Sequence, residues 1–152
     1  EEIQLFDRHT RCHVVQLPHS VLDRAYERDV LPLCSSLNIG TLIRGPLAQG
    51  VLTGKFTPDH VFDDETRSDW NTGNAHTRFQ ARVATAEKLR PLTMEDKNMG
   101  QLALAFTLSR EGVTCAIPGA RSPEQARANA AASNISLATD ELSLMESLQS
   151  LT

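Results

Sequence analysis

Apolar residues recur along the chain in two rhythms. Short, nearly continuous runs at residues 13–16 (HVVQ), 41–43 (TLI) and 114–117 (TCAI) predict β-strands. None alternates cleanly with polar residues, so each strand is expected to be covered on both faces, as in a parallel sheet flanked by helices. The other rhythm is helical. Asp29 is placed to cap a helix running through Asn38, with Pro32 tolerated in the first turn and Gly40 just beyond its end. Residues 77–89 keep Phe79, Val83, Ala86 and Leu89 at three- and four-residue spacing, and residues 98–110 bring Leu102, Ala105, Phe106 and Leu108 to one side. Two more helices follow the last strand. One spans residues 123–132; the other spans residues 140–151, with Thr139 as N-cap and Leu142, Met145, Leu148 and Leu151 as its stripe.

Strands alternating with helices in this order predict an α/β fold with parallel strands and right-handed crossovers. Residues 45 to about 76 form an unusually long connection, and connections of that length commonly carry function. Three parallel strands would leave two unpaired edges bearing β-branched side chains. Either something covers those edges or the remainder of a sheet lies elsewhere.

Composition narrows the class. With 152 residues, 40% of them apolar, 22% charged and a net charge of −4, the chain reads as a single globular domain over residues 1–152 with no nucleic-acid partner. Cys12, Cys34 and Cys115 form no CxxC pair, which suits a reducing cytoplasm rather than a disulfide scaffold or a four-cysteine zinc site. No window has the length and apolarity of a membrane span, and no membrane partner is expected. The opening Glu1-Glu2-Ile3 shows no signal-peptide pattern, and the lack of an initiating Met is expected of a chain processed, trimmed or cut out of something longer.

Candidate chemistry concentrates in two stretches. In AIPGARSPEQARAN (residues 116–129), a strand passes through a glycine turn at Gly119 into a helix with Ser122 as N-cap, Pro123 at the first position and Gln125 to complete a capping box. Free amides at that helix start, together with Arg121, would suit a phosphate. A well-capped helix with a surface arginine is the alternative, and spacing alone favours it. In GTLIRGPLAQGVLTGKF (residues 40–56), a strand ends in Arg44 and an irregular, glycine-punctuated segment follows. In α/β barrels, ligand loops sit at the carboxyl ends of strands, and phosphates often bind after the last two. Both stretches fall in such positions.

Together with VVQLPHSVLDR (residues 14–24), these stretches resemble segments of the aldo-keto reductase family, over nearly the whole chain and in the family's order. The resemblance implies part of a (β/α)8 TIM barrel with about three parallel strands and surrounding helices: the C-terminal portion, on the cofactor side. It also implies NADPH-dependent carbonyl reduction in the full-length family. Residue by residue, it implies that Gln16 bonds the nicotinamide carboxamide and that Gly45, Pro46, Leu47, Gln49 and Gly50 line the pyrophosphate. Gly119 and Arg121 would hold the 2′-phosphate, with Gln125 and Asn129 near that phosphate and the adenine.

Two positions depart from the family pattern. Arg44 stands where many members stack an aromatic ring on the nicotinamide, a role a planar guanidinium can also fill, as in a bacterial branch with the same Arg-Gly-Pro-Leu run. Ala128 stands where many have a Glu near the ribose, which weakens the adenosine site. The family's catalytic Asp, Tyr, Lys and His come from earlier strands and are absent from this sequence, so no catalytic residue is assigned and the chain is expected to be inactive alone, with weak or absent NADPH binding. The other reading is a non-catalytic oligomerising or NADP-binding module that associates through its strand edges, with itself or with a complementary N-terminal half.

The remaining candidates are weaker. Tyr26 matches no catalytic position and reads as packing. His9, Cys12 and His13 lack a fourth metal ligand, Asp63, Asp64 and Glu65 read as a solvated acidic turn, and His19, His60 and His76 have no nucleophile at a recognisable spacing.

Overall fold

The computed structural model describes residues 1–148. Strands β1 (Val14–Pro18), β2 (Gly40–Arg44) and β3 (Cys115–Ala116) form one parallel sheet in the order β1-β2-β3. Val14 lies opposite Gly40, Pro18 opposite Arg44, and Leu42 opposite Cys115. Two bonds extend the ladder, from the Ile117 amide to the Ile43 carbonyl (2.9 Å) and from the His19 amide to the Arg44 carbonyl (3.3 Å). All three strands therefore end at the same level. β3 is shorter than its apolar run because threonine hydroxyls take over its first bonds. The Thr41 amide donates to Thr114 Oγ1 and the Thr114 amide to Thr41 Oγ1, each at 3.0 Å.

The expectation that each strand is covered on both faces is corrected. Leu17, Ile43 and Leu31 are buried, with Val15, Val30, Val113 and Ala116 packed against them, so one face of the sheet lies on helices. On the opposite face, alternation places Val14, Gln16, Leu42, Arg44, Cys115 and Ile117. Of these, Val14 is 52% and Ile117 43% exposed, and Gln16, Arg44 and Cys115 are exposed as well. Apolar residues at consecutive positions mark both faces as suited to burial. The described residues cover only one.

The larger core lies between helices α3 (Gly73–Glu87), α4 (Met99–Leu108) and α6 (Thr139–Ser147) and the loop after β2. Phe79, Val83, Ala86 and Leu89 are buried in it, as are Leu102, Phe106, Met145 and Leu148. Ala105 is buried too, whereas Leu108 and Leu142 are half-buried. Leu151 lies outside the described residues. α4 is buried nearly all round, from Met99 to Thr107, and its start carries a reciprocal Asn98–Gln101 capping box.

Boundaries depart from the pattern where a side chain finds another use. Helix α2 (Val30–Ser36) has Asp29 at its N-cap without a side-chain bond, and the left-handed residue at its end is Asn38 (φ 53°), while Gly40 already belongs to β2. Thr139 lies inside α6, whose N-cap is Ala138. There the Glu141 carboxylate accepts the Ala138 amide (2.9 Å) and pairs with Lys97. Helix α1 (Glu2–His9), which the apolar runs did not predict, carries no buried residue, and its Leu5 and Phe6 stand exposed. The long connection also has structure of its own, with 3₁₀ turns at Ala48–Thr53 and Ser68–Asn71.

Candidate nucleotide-binding site

Because the strands end level, the segments that follow them emerge from one end of the sheet. Gln16 and Arg44 project from its open face, diagonal to each other across the β1–β2 pair. After Arg44 the backbone enters an unusual turn. Gly45 (φ 65°), Ala48 (φ 50°), Gln49 (φ 56°) and Gly50 (φ 97°) are all left-handed, with Pro46 buried and Leu47 half-buried between them. For Ala48 and Gln49 that conformation costs about 1–2 kcal/mol each. Short bonds hold the turn: the Ala48 amide to the Gly45 carbonyl, the Gly50 amide to the Leu47 carbonyl (both 2.9 Å), and the Thr53 hydroxyl to the Gly50 carbonyl (2.7 Å). At Gly50 a side chain would be strained by the φ of 97°, and its Cβ would press on the Phe56 ring at 3.0 Å.

Two arginines reach the carbonyls of this turn from farther along the chain. Arg67 donates to the Gln49 carbonyl (3.3 Å) and Arg90 to the Gly54 carbonyl (3.1 Å). Each is gripped by a carboxylate three residues before it: Asp64 for Arg67, and Glu87 for Arg90. The Arg67 and Arg90 guanidiniums hold the Asp64 and Glu87 carboxyls below the usual carboxylate range. Asp64 is thus a partner for Arg67 rather than a free member of an acidic turn.

The third segment links β3 to helix α5 (Pro123–Ala131). Ser122 Oγ accepts the Gln125 amide (3.2 Å) as a cap should, but the capping box does not close. Instead Gln125 Oε1 accepts the Arg121 amide (2.7 Å), and Asn129 Nδ2 donates to the Gly119 carbonyl (3.3 Å). Both side chains therefore fix the Gly119–Arg121 turn from the helix beside it. Gly119 is exposed, is not left-handed, and would meet nothing within 4 Å as alanine, so the tight glycine turn expected there is not found. The Arg121 side chain is exposed and has no carboxylate partner among the described residues.

Comparison with known proteins fits this geometry. The family model for the aldo/keto reductase family matches residues 1–150. The chain belongs to that family. It is 31% identical over 157 residues to the NADH-specific methylglyoxal reductase of Escherichia coli, an alignment covering 97% of this chain and 45% of that protein. It is 30% identical to the aldo-keto reductase YhdN of Bacillus subtilis, covering 84% of this chain and 39% of the relative. The chain thus spans less than half the length of these curated relatives. Among solved structures it superposes on a glycerol dehydrogenase from Gluconobacter oxydans with a TM-score of 0.74 and 26% identity, over 89% of this chain and 41% of the other. The holo form of an aldo-keto reductase from Bacillus halodurans shares the fold at a TM-score of 0.69 and 23% identity, over 97% and 44% of the two chains.

Within this partial aldo-keto reductase barrel, the remaining sequence candidates fall elsewhere. Tyr26 is 37% exposed on the segment after β1. No group of His, Cys, Asp and Glu among the described residues could hold a metal ion, the segment with His9, Cys12 and His13 included. His60 packs on Phe56 and Phe62 at 4.7 Å each, His76 Nδ1 lies 2.8 Å from the Trp70 carbonyl oxygen, and His19 is buried against Phe106. Sequence reasoning missed Arg67 and Arg90. The i,i+3 spacing of Asp64 to Arg67 and of Glu87 to Arg90 signals the ion pairs but not the carbonyls they reach.

Proposed function

We propose that this chain is a single-domain, C-terminal part of an aldo-keto reductase barrel, its cofactor side, which grips NADPH weakly and does not reduce carbonyls by itself. The observation that carries this reading is the convergence of three motif-bearing segments at one end of one parallel sheet. In this reading, Gln16 offers its amide to the nicotinamide carboxamide and the Arg44 guanidinium stacks on the ring. The backbone of Gly45, Pro46, Leu47, Gln49 and Gly50 lines the pyrophosphate, while Gly119 and Arg121 take the 2′-phosphate, with Gln125 and Asn129 bracing their turn.

The residues present fit such a group. The Gly119–Arg121 segment is fixed by two side-chain bonds while the Arg121 guanidinium has no carboxylate partner among the described residues, which leaves it available to an anion. When bound, NADPH supplies a hydride. The protein's part is to orient the dinucleotide, and nothing in the sequence matches the acid that would deliver the proton. One relative is named as NADH-specific. A preference for NADPH in this chain rests on Arg121, and half a site encloses its ligand poorly, so affinity is expected to be low.

Calorimetric titration with NADPH and NADH tests this reading. NADPH is expected to bind more tightly than NADH, and Arg121→Ala should remove most of that difference. Equal binding of both nucleotides by the wild-type chain, or binding of neither, would contradict it. Turnover of aldehydes or ketones at enzyme-like rates would contradict the inactivity.

The exposed sheet face favours a second reading, compatible with the first. Val14 on β1 and Ile117 just past β3, the outer strands of the sheet among the described residues, suit association with another copy or with a complementary N-terminal half. A strictly monomeric, well-folded species in sedimentation would count against it. The three cysteines are free, in keeping with a cytoplasmic setting, and among the described residues no helix is long and apolar enough to cross a membrane.

A further inference from the structure

We propose that Arg67 is a positioning residue for the nucleotide loop: through the carbonyl of Gln49 it holds the left-handed run Ala48, Gln49, Gly50 in the shape that presents this turn to a ligand. The inference rests on the reading of that loop as pyrophosphate-binding.

Two consecutive L-residues in the left-handed region, followed by a glycine at φ 97°, will relax unless neighbouring structure over-determines them. Ala48 is held by burial, at 5% exposure. Gln49 is exposed, so its conformation depends on its backbone partners. Arg67 Nη1 donates to the Gln49 carbonyl at 3.3 Å. The arginine is itself fixed from several sides. Its Nε and Nη2 grip the Asp64 carboxylate at 2.9 and 2.6 Å, and its guanidinium carbon lies 4.6 Å from the centre of the Phe62 ring and 5.3 Å from that of Phe56. Phe62 is locked in turn, since the Asn71 side chain bonds both its amide and its carbonyl at 2.8 Å.

The result is a stiff arm reaching back 18 residues to the turn. Arg90 repeats the device at Gly54, but its side chain is 53% exposed against 17% for Arg67, so Arg67 is the better-fixed clamp. A planar guanidinium can bond Asp64 Oδ2 through both Nε and Nη2, lie over the two rings and still reach the Gln49 carbonyl through Nη1. Lysine cannot.

The test compares the whole wild-type chain with Arg67→Lys, Arg67→Ala and Asp64→Asn by NADPH calorimetry and by the amide resonance of Gly50 in the ligand-free protein. Arg67→Lys and Arg67→Ala should each raise the NADPH Kd by about tenfold and move the Gly50 resonance, and Asp64→Asn should do both by about threefold. A Kd and Gly50 resonance unchanged in Arg67→Lys and Asp64→Asn overturn the proposal even if Arg67→Ala fails to fold. A moved resonance without weaker binding overturns it as well. Weaker binding with an unmoved resonance makes Arg67 a direct ligand contact and overturns the positioning role. If the wild-type chain binds no NADPH, the nucleotide reading falls and this inference with it. If the wild-type chain binds and Arg67→Lys binds equally well, this inference alone falls.

Discussion

His19 is 1% exposed, stacks on Phe106 at 6.2 Å between ring centres, and among the described residues finds no hydrogen-bond partner for either ring nitrogen. Burial pushes its pKa below the ordinary value of 6.5; Glu27 and Asp23 oppose the shift and Arg24 and Arg110 reinforce it. A base whose folded pKa is depressed binds fewer protons folded than unfolded, so stability is full above 6.5 and is lost as pH falls from there towards the folded value. Glu27 adds a second loss at lower pH. Burial raises its pKa, but the hydrogen bond and charge of Arg24 outweigh that and leave it below 4.5. Denaturant unfolding at stepped pH should therefore show stability declining below 6.5, and His19→Phe should remove the upper part of that decline. A flat profile in the wild-type chain from about pH 7 to pH 5 would contradict the assignment.

Glycines divide just as sharply at this scale. Gly112 sits at φ 83°, where a Cβ would lie 2.6 Å from the Leu31 carbonyl oxygen, so Gly112→Ala should cost about 2 kcal/mol or more. Gly119→Ala should change stability by no more than about 0.5 kcal/mol. Thermal unfolding of the two variants checks both values. In the sequence their importance reads the other way round, because Gly119 lies inside a recognisable motif whereas the obstacle at Gly112 comes from Leu31, far off in the chain.

Among elements, the helices were legible where apolar spacing and burial agree, as at Phe79, Val83, Ala86 and Leu89. Caps were harder to read. Asn98 accepts the Gln101 amide in a full capping box, whereas Asp29 makes no cap bond although it stands at a helix start. Asn98→Ala should accordingly lower stability by about 1 kcal/mol and Asp29→Ala by a few tenths at most, as read from denaturant midpoints. Equal losses would show that residue type at the N-cap matters more than the observed bond. The loop after β2 was legible only in its first part. Its glycines announce an irregular turn, but the arms that hold it start 18 and 36 residues away, at Arg67 and Arg90, and local pattern carries no trace of such distances.

At the scale of the whole molecule, family and fold class were legible because three motifs keep their order, and all three segments meet at one end of the sheet. The expectation of strands covered on both faces failed for a physical reason. Paired apolar residues such as Val14 with Val15 and Leu42 with Ile43 record what a barrel interior and a helical layer would each bury, while the described residues supply only the helical layer. Among the described residues one sheet face is uncovered and both edges are unpaired, which favours association. Sedimentation velocity should show concentration-dependent self-association, reduced by Val14→Lys, which puts a charge on an outer strand.

Amide chemical shifts during an NADPH titration show directly whether these loops form a nucleotide grip. Shifts should concentrate in residues 44–50 and 117–122, with the change around Arg121 weaker for NADH. Shifts spread over α1 and α6 instead, or none at saturating nucleotide, would contradict it.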